Sequence, residues 1–379
     1  MILFYNYIMI LRLLSLLNFK NHDSLSLNFS HHVNCFLGNN GVGKTNLLDA
    51  IYYLSFCKSF HHSNESNNIK YGENFFMLKG EFLDSDGVEL EIECSLRGKQ
   101  KRFKRNNKIY NRLADHIGSI PMVSITPIDS HIITGGGEDR RRFINKLLSQ
   151  LDDNYLYNLI AYNKILKQRN TLLKEASHSH INESLLLTYD QSLSKYGDEI
   201  HKIRQSFIDS IIENVLIYYD FISEKNENIS IAYESQLNTS SLDNILSNNR
   251  QKDQFLMHTT GGVHRDDFIF TMNSNSLKQS GSQGQQKTFL IALKLSYFNL
   301  LKNKYNKTPI LLLDDIFDKL DYNRVKKIIS ILNKNESGQI FISDTSLERI
   351  NSIITDINAE SKYFMLDKRG LYEEKIQKH

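Results

Sequence analysis

Residues 36–51, "FLGNNGVGKTNLLDAI", decide how the rest of this 379-residue chain is read. They contain Gly38-x-x-x-x-Gly43-Lys44-Thr45, which fits the phosphate-loop pattern G-x-x-x-x-G-K-[ST]. A strand-like run, "VNCFL" (33–37), precedes it and a helix-like run, "TNLLDAIYYLS" (45–55), follows, which is the context the pattern requires. The glycines let backbone N–H groups turn inward around phosphates, and the helix start adds its positive end. Lys44 then reaches the β- and γ-phosphates, and the Thr45 hydroxyl completes a magnesium shell. The plainer alternative is a glycine-rich turn, and the flanking strand and helix argue against it.

A phosphate loop needs an acidic element to hold the metal. "PILLLDDIFDKLD" (309–321) supplies one: a buried-strand run that ends in Asp314 and Asp315. A carboxylate at the C-terminal end of a strand beside the loop holds magnesium through water, and a second one can orient or deprotonate an attacking water. Lys44 and Asp314 are 270 residues apart, so most of the chain is inserted between the halves of one site.

Composition sets outer limits. A hydrophobic content of 40% and a charged content of 23% are those of an ordinary globular protein with room for two or three domains. A net charge of +3 gives no global basic character, so an anionic partner must be met by local patches. Cys35, Cys57 and Cys94 show no C-x-x-C pairing, and His31-His32 and His61-His62 complete no zinc spacing. Neither disulfides nor structural zinc are expected, which fits reduced thiols in a cytoplasmic setting. The opening "MILFYNYIMILRLLSLL" lacks a basic start and a cleavage site, and Arg12 interrupts it, so it reads as neither signal peptide nor membrane span. Residues 1–8 read as an overhang before Met9.

The inserted region begins as sheet: residues 75–110 alternate around an Asp84-Ser85-Asp86-Gly87 turn. Lys101, Arg102, Lys104 and Arg105 fall in its basic tail, a candidate phosphate-tracking strip, although charge runs are more often solvated strand edges. From "GGGEDRRRFINKLLSQL" (135–151) the period becomes helical. Leu148, Leu151, Tyr155, Leu159, Tyr162 and Leu166 recur at three- and four-residue steps, as do Leu186, Tyr189, Leu193, Tyr196, Ile200, Ile203 and Phe207. This predicts a short helical hairpin. Arg140, Arg141 and Arg142 at its start are further candidates for DNA contact, with pairing to Glu138 or Asp139, or sensing of nucleotide, as the alternatives. Strand pattern returns at "NISIAYES" (228–235) and "TTGGVHRDDFIF" (259–270). Then Ser282-Gln283-Gly284-Gln285 opens an amphipathic helix, where a hydroxyl, bare backbone and a helix N-terminus all suit an anion.

Together these segments resemble the ABC-type ATPase heads of chromosome-maintenance proteins, and more narrowly the RecF family. The resemblance runs over almost the whole chain from Met9; "VHRDDF" followed by "SQGQQ" and "LDDIFDKLD" is its most specific part. It implies an α/β fold: a P-loop core with an accessory antiparallel sheet over 9–125 and 226–379, and a helical hairpin lobe over 126–225. It also implies ATP and Mg2+ as cofactors, a weak ATPase used as a switch, and a homodimer formed on ATP. The dimer would bind DNA at single-strand/duplex junctions and work with RecO and RecR to load recombinase in gap repair, replication restart and SOS induction. By position, Gly38, Asn39, Asn40, Gly41, Val42, Gly43, Lys44 and Thr45 form the Walker A loop, and Asp314 and Asp315 the Walker B pair. Ser282, Gly284 and Gln285 are the signature contacts made to the other subunit's nucleotide, with Asp321 at the loop between subunits.

The chain departs from the pattern in places. Gly281 stands where many relatives have leucine or alanine. "QIFISDTS" (339–346) has no histidine, leaving Asp344 or Thr345 as switch residue, and no glutamine near "VSITPID" (123–129) fills the Q-loop role. The rival reading is the ATP-binding subunit of another ABC-type system, a transporter or an SMC-like ATPase. In transporters the phosphate loop and signature sit much closer than the 237 residues between Thr45 and Ser282. A P-loop phosphotransferase would leave the Ser282 segment unexplained.

Overall fold

A computed structural model describes residues 7–62, 64–84, 87–175, 181–223, 227–316, 322–334, 338–357, 360–368 and 370–377. The chain divides into two compact units, one of residues 1–129, 221–224 and 290–379, the other of 130–220 and 225–289.

The first unit holds two six-stranded sheets. One is antiparallel, made of β2 (Ile10–Phe19), β3 (His22–Asn28), β5 (Phe75–Leu83), β6 (Glu89–Arg97), β7 (Gln100–Arg105) and β8 (Lys108–Ile109), in the order β3-β2-β5-β6-β7-β8. Its strands alternate, as in β6, where Leu90, Ile92, Cys94 and Leu96 point inward. The other sheet contains β4 (Val33–Leu37), β9 (Met122–Ile125), β14 (Ile310–Asp314), β15 (Ile340–Asp344), β16 (Ser361–Asp367) and β17 (Gly370–Gln377), in the order β17-β16-β4-β15-β14-β9. All its pairings are parallel except β16 with β17. Every residue of β4, β9, β14 and β15 is buried, so these strands do not alternate, and "ILLL" of β14 reads as a continuous apolar run.

Helix α1 (Lys44–Phe56) packs against strands of both sheets. Leu47, Leu48, Ala50, Ile51, Tyr52, Tyr53 and Leu54 are all buried, so the helix shows no polar face. Each large apolar side chain there contributes roughly 1.5–3 kcal/mol of burial. Gln339 ties the sheets together: its amide accepts from Leu11 N at 2.7 Å and donates to Leu11 O and Ser30 O at 2.8 Å. Tyr7–Ile8 (β1) pairs with Lys307–Thr308 (β13), so the end of the expected overhang joins the fold. Helices α10 (Tyr322–Lys334) and α11 (Leu347–Ile357) complete this unit.

The second unit contains α2 (His131–Thr134), α3 (Gly137–Leu151), α4 (Asp153–Glu175) and most of α5 (Glu183–Ser223). A three-stranded sheet, β10 (Ile229–Glu234), β11 (Asp267–Met272) and β12 (Asn275–Ser276), follows. Helices α6 (Leu242–Asn248), α7 (Arg250–Leu256), α8 (Leu277–Ser280) and the first turns of α9 (Gln283–Tyr305) complete it. Residues 225–289 therefore group with the helices, where the returning strand pattern had suggested the P-loop core. The reason lies in the strand pairing: among the described residues β10, β11 and β12 pair as strands only with one another.

The seam of α5 also differs from the expected one. Leu186, Asp190, Leu193, Gly197, Ile200, Arg204, Phe207 and Ile211 are buried, a strict four–three repeat, while Tyr189, Tyr196 and Ile203 are only half-buried. A Cβ at Gly197 would lie 2.4 Å from the Leu242 side chain, so glycine allows the close approach there. Asp190 and Arg204 are tolerated because each is paired: Arg169 Nε donates to Asp190 at 2.7 Å, and Arg204 Nη1 donates to Asp266 at 2.6 Å.

Candidate nucleotide-binding site

The phosphate loop joins β4 to α1 at the C-terminal edge of the parallel strands, where ligands of open α/β sheets bind. Gly38, Gly41 and Gly43 all have positive φ. A Cβ on Gly38 would stand 2.2 Å from the Leu366 carbonyl oxygen, and one on Gly43 2.5 Å from the Asn21 side chain, so both positions require glycine. Residues of the β2–β3 turn brace the loop from outside. Asn21 Nδ2 donates to Val42 O at 3.2 Å, His22 Nε2 lies 3.2 Å from Gly43 O, and Asn46 Nδ2 donates to Asn21 at 2.7 Å. The sequence reading missed this brace, because Asn21 and His22 are far from any motif spacing.

Lys44 folds back over the loop and donates from Nζ to Gly38 O at 2.7 Å and Asn39 O at 3.0 Å. Burial pulls its ammonium below the usual lysine range, and the charges of Asp315, Asp314 and Asp344 only partly restore it. The charges of three carboxylates thus act on one lysine. Asp314, the last residue of β14, accepts at the same oxygen from Thr45 Oγ1 at 2.9 Å and Ser343 Oγ at 2.6 Å. Burial raises its carboxyl above the usual range, although those two hydrogen bonds work against the shift. Asp315 follows with a φ of 48° and donates its N–H to Ser343 Oγ at 3.1 Å. Ser343 is a further residue the motifs did not single out; a polar residue in an otherwise apolar buried strand end was the available signal.

Asp344, weighed above as a switch residue, is fully buried and accepts from Ser346 N at 2.8 Å, with Arg349 at 3.4 Å. In the segment after β9, Asp129 accepts from Thr126 N at 2.8 Å and pairs with Lys294 at 2.9 Å. A carboxylate organises the turn where a Q-loop glutamine was sought. Asp321 lies outside the described residues.

In the second unit Ser282 caps α9. Gln285 N donates to Ser282 Oγ at 3.3 Å, and Ser282 N donates to Gln285 Oε1 at 2.7 Å, a reciprocal capping box. Ser282 is exposed, and the N–H groups of Gln283 and Gly284 precede the first intrahelical acceptors.

The basic candidates separate into tethered and exposed groups. β7 alternates, so Lys101 and Phe103 share one face while Arg102 and Lys104 lie on the other, and the run is not a single strip. Lys101 bonds Glu65 at 2.6 Å and sits 4.8 Å over the Tyr53 ring, and Lys104 bonds Glu93 at 2.8 Å. Arg102 and Arg105 are exposed. Arg140 holds Asp267 with two bonds of 2.7 Å, and Arg141 donates to Asp266 O at 2.5 Å. Arg142 is exposed and reaches Glu138 at 2.7 Å. Two of the three arginines of "EDRRR" thus bond the "RDD" segment, Arg140 at the Asp267 carboxylate and Arg141 at the Asp266 carbonyl.

The family model for the RecF/RecN/SMC N-terminal domain matches residues 10–355. The chain is 43% identical over 366 residues to the DNA replication and repair protein RecF of Bacteroides fragilis, covering 96% of this chain and 98% of that one. It is 44% identical over 356 residues to the protein of the same name from Flavobacterium johnsoniae, covering 93% and 99%. Among solved structures, the recombination mediator protein RecF with ATP, of the RecFOR pathway, superposes with a TM-score of 0.87 at 30% identity, over 98% of both chains. An Smc head domain with an extended coiled coil from Pyrococcus furiosus gives 0.56 at 14% identity over 98% of this chain and 96% of that one, a likeness of fold. The fold is that of an ABC-type ATPase head.

Proposed function

The chain belongs to the RecF family of DNA replication and repair proteins, and from that premise we propose that it is an ATP-dependent recombination mediator working as a two-subunit clamp. The observation that carries this is the convergence of Thr45, Asp314 and Ser343 beside Lys44. A hydroxyl, a carboxylate and a loop held open by two obligatory glycines are the donor set that a magnesium–triphosphate requires.

On ATP binding, Lys44 Nζ exchanges the Gly38 and Asn39 carbonyls for β- and γ-phosphate oxygens. Thr45 and Asp314, already joined by a hydrogen bond, are the residues that would hold magnesium beside the phosphates. Magnesium, when bound, offsets charge on the β- and γ-oxygens. Asp315 orients the attacking water. Ser282, Gly284 and Gln285 of a second copy close over the γ-phosphate with the free N–H groups that begin α9. ATP then acts as glue between subunits, and slow hydrolysis releases it. The solved relative with ATP supports nucleotide as the ligand of this loop.

In this proposal the dimer holds DNA at single-strand/duplex junctions and acts with RecO and RecR in recombinase loading. The name of the RecFOR pathway attached to the solved relative supports that assignment. Arg102, Arg105 and Arg142, the exposed members of the basic set, are the DNA contacts. The test is sedimentation with and without ATP-magnesium and a gapped duplex, beside Lys44→Met and Ser282→Arg. An ATP-driven dimer that retains DNA, lost in both variants, supports the clamp. A chain that binds ATP and stays monomeric overturns it.

A further inference from the structure

Gln285 has two side-chain partners, and one lies far outside the motif. Its Oε1 accepts from Ser282 N at 2.7 Å, and its Nε2 donates to Glu227 Oε1 at 2.7 Å. The other Glu227 oxygen accepts from the Tyr219 hydroxyl, on the last turns of α5. Tyr219 is fully buried, within reach of Met272 Sδ at 3.8 Å. One carboxylate therefore links the end of the 41-residue helix α5 to the cap of α9.

The chemistry of this link leaves no ambiguity in the amide. A backbone N–H can only donate and a carboxylate can only accept, so Gln285 must turn its oxygen to Ser282 and its nitrogen to Glu227. The opposite orientation would set donor against donor at Ser282 and acceptor against acceptor at Glu227. With the oxygen committed to Ser282 N, the Ser282 hydroxyl receives Gln285 N and keeps its own proton available outward.

We infer that Glu227 is a positioning residue for the signature helix: by selecting one orientation of Gln285 it sets the Ser282 cap that the second subunit's γ-phosphate meets, and it ties that cap to the end of α5. This deepens the clamp reading and rests on it. A displacement of the α5 terminus is then felt at Ser282 through Tyr219 and Glu227, with no change at the phosphate loop of the same chain.

The test compares Glu227→Gln, Glu227→Leu and Tyr219→Phe with the parent chain. Glutamine can still accept from Gln285 and donate toward Tyr219, whereas leucine does neither. Three quantities are read: affinity of the monomer for a fluorescent ATP analogue, the ATP-dependent dimer dissociation constant, and amide hydrogen exchange of Gln285 and Gln286. Glu227→Leu is expected to weaken the dimer by about ten-fold or more and to speed exchange at α9's first turn, leaving nucleotide affinity unchanged. Glu227→Gln is expected to stay within about three-fold of the parent, and Tyr219→Phe to fall between the two. Equal dimerisation by parent and Glu227→Leu overturns the assignment, as does a Glu227→Gln defect as large as leucine's. A parent chain that stays monomeric with ATP bound overturns the clamp, and this assignment with it. A Glu227→Leu chain that loses nucleotide affinity as well is globally damaged, and a normal Tyr219→Phe dimer beside it counts against the link.

Discussion

Thr45 and Asp314, 269 residues apart in the chain, are joined by a 2.9 Å hydrogen bond from hydroxyl to carboxylate. That bond closes the nucleotide site across an insertion that contains the whole second unit. Asp314→Asn removes the charge the metal shell needs while keeping the shape. It should lower magnesium-dependent ATP affinity by about ten-fold or more, to the level the parent shows in excess chelator. Titration calorimetry with and without magnesium decides it; an Asn variant that still gains affinity from magnesium contradicts the role.

Asp315→Asn should separate binding from hydrolysis. ATP affinity should hold, turnover should drop by roughly 10²–10⁴, and the ATP-bound dimer should outlive the parent's. Single-turnover hydrolysis and dimer dissociation are the measurements. If neither changes, Asp315 does not orient the water.

The Arg204–Asp266 pair is buried at both ends and 2.6 Å long, with Asp266 also accepting from Tyr233. Arg204→Met should cost about 3–5 kcal/mol of unfolding free energy, because it strands a buried carboxylate. Urea denaturation measures it, and a loss under 1 kcal/mol would show that the site relaxes to admit water.

Arg140 and Arg142 should differ in kind. Arg140→Ala breaks the two-bond clamp on Asp267 and should lower the melting temperature. Arg142→Ala should leave melting unchanged and reduce the salt dependence of DNA binding by about one counterion. Thermal melts beside a salt titration of DNA affinity separate the two, and the reverse assignment of effects would contradict the structure.

His116 and His264 predict an acid limit. Burial lowers each from 6.5 to about 4, against backbone hydrogen bonds to Leu54 and Thr259 that favour the proton. Arg105 adds to the lowering at His116, and Arg265 and Arg141 do so at His264. The unfolded chain binds a proton near pH 6.5 and the folded chain does so only near 4. Stability is therefore full above pH 6.5 and declines as pH falls toward 4, by up to about 3 kcal/mol per histidine. His116→Gln should flatten part of that decline in melting temperature between pH 6.5 and 4; an unchanged slope refutes its share.

The phosphate loop, the Asp314 strand end and the Ser282 helix start were legible because each is a local pattern with a local physical cause. Glycines permit positive φ, an acid ends a buried strand, and a capping serine is followed three residues later by glutamine. The sheet strands were legible by the same logic: alternation where one face is covered, and mainly apolar, non-alternating runs such as "ILLL" where both are. What could not be read were choices made by distant partners. Arg140 and Lys101 look like Arg102 and Arg142 in the text, and only Asp267 and Glu65 distinguish them.

The sequence by itself determined the α/β class, the order of the site's parts and the residues of the phosphate loop, since these follow from short-range backbone and burial preferences. The tertiary structure alone decided that residues 225–289 group with the helices, that the α5 seam runs through Asp190, Gly197 and Arg204, and that Glu227 faces Gln285. A buried charge or a missing side chain is allowed only where a residue remote in the chain supplies its partner or fills its space, and no local pattern records which residue that is.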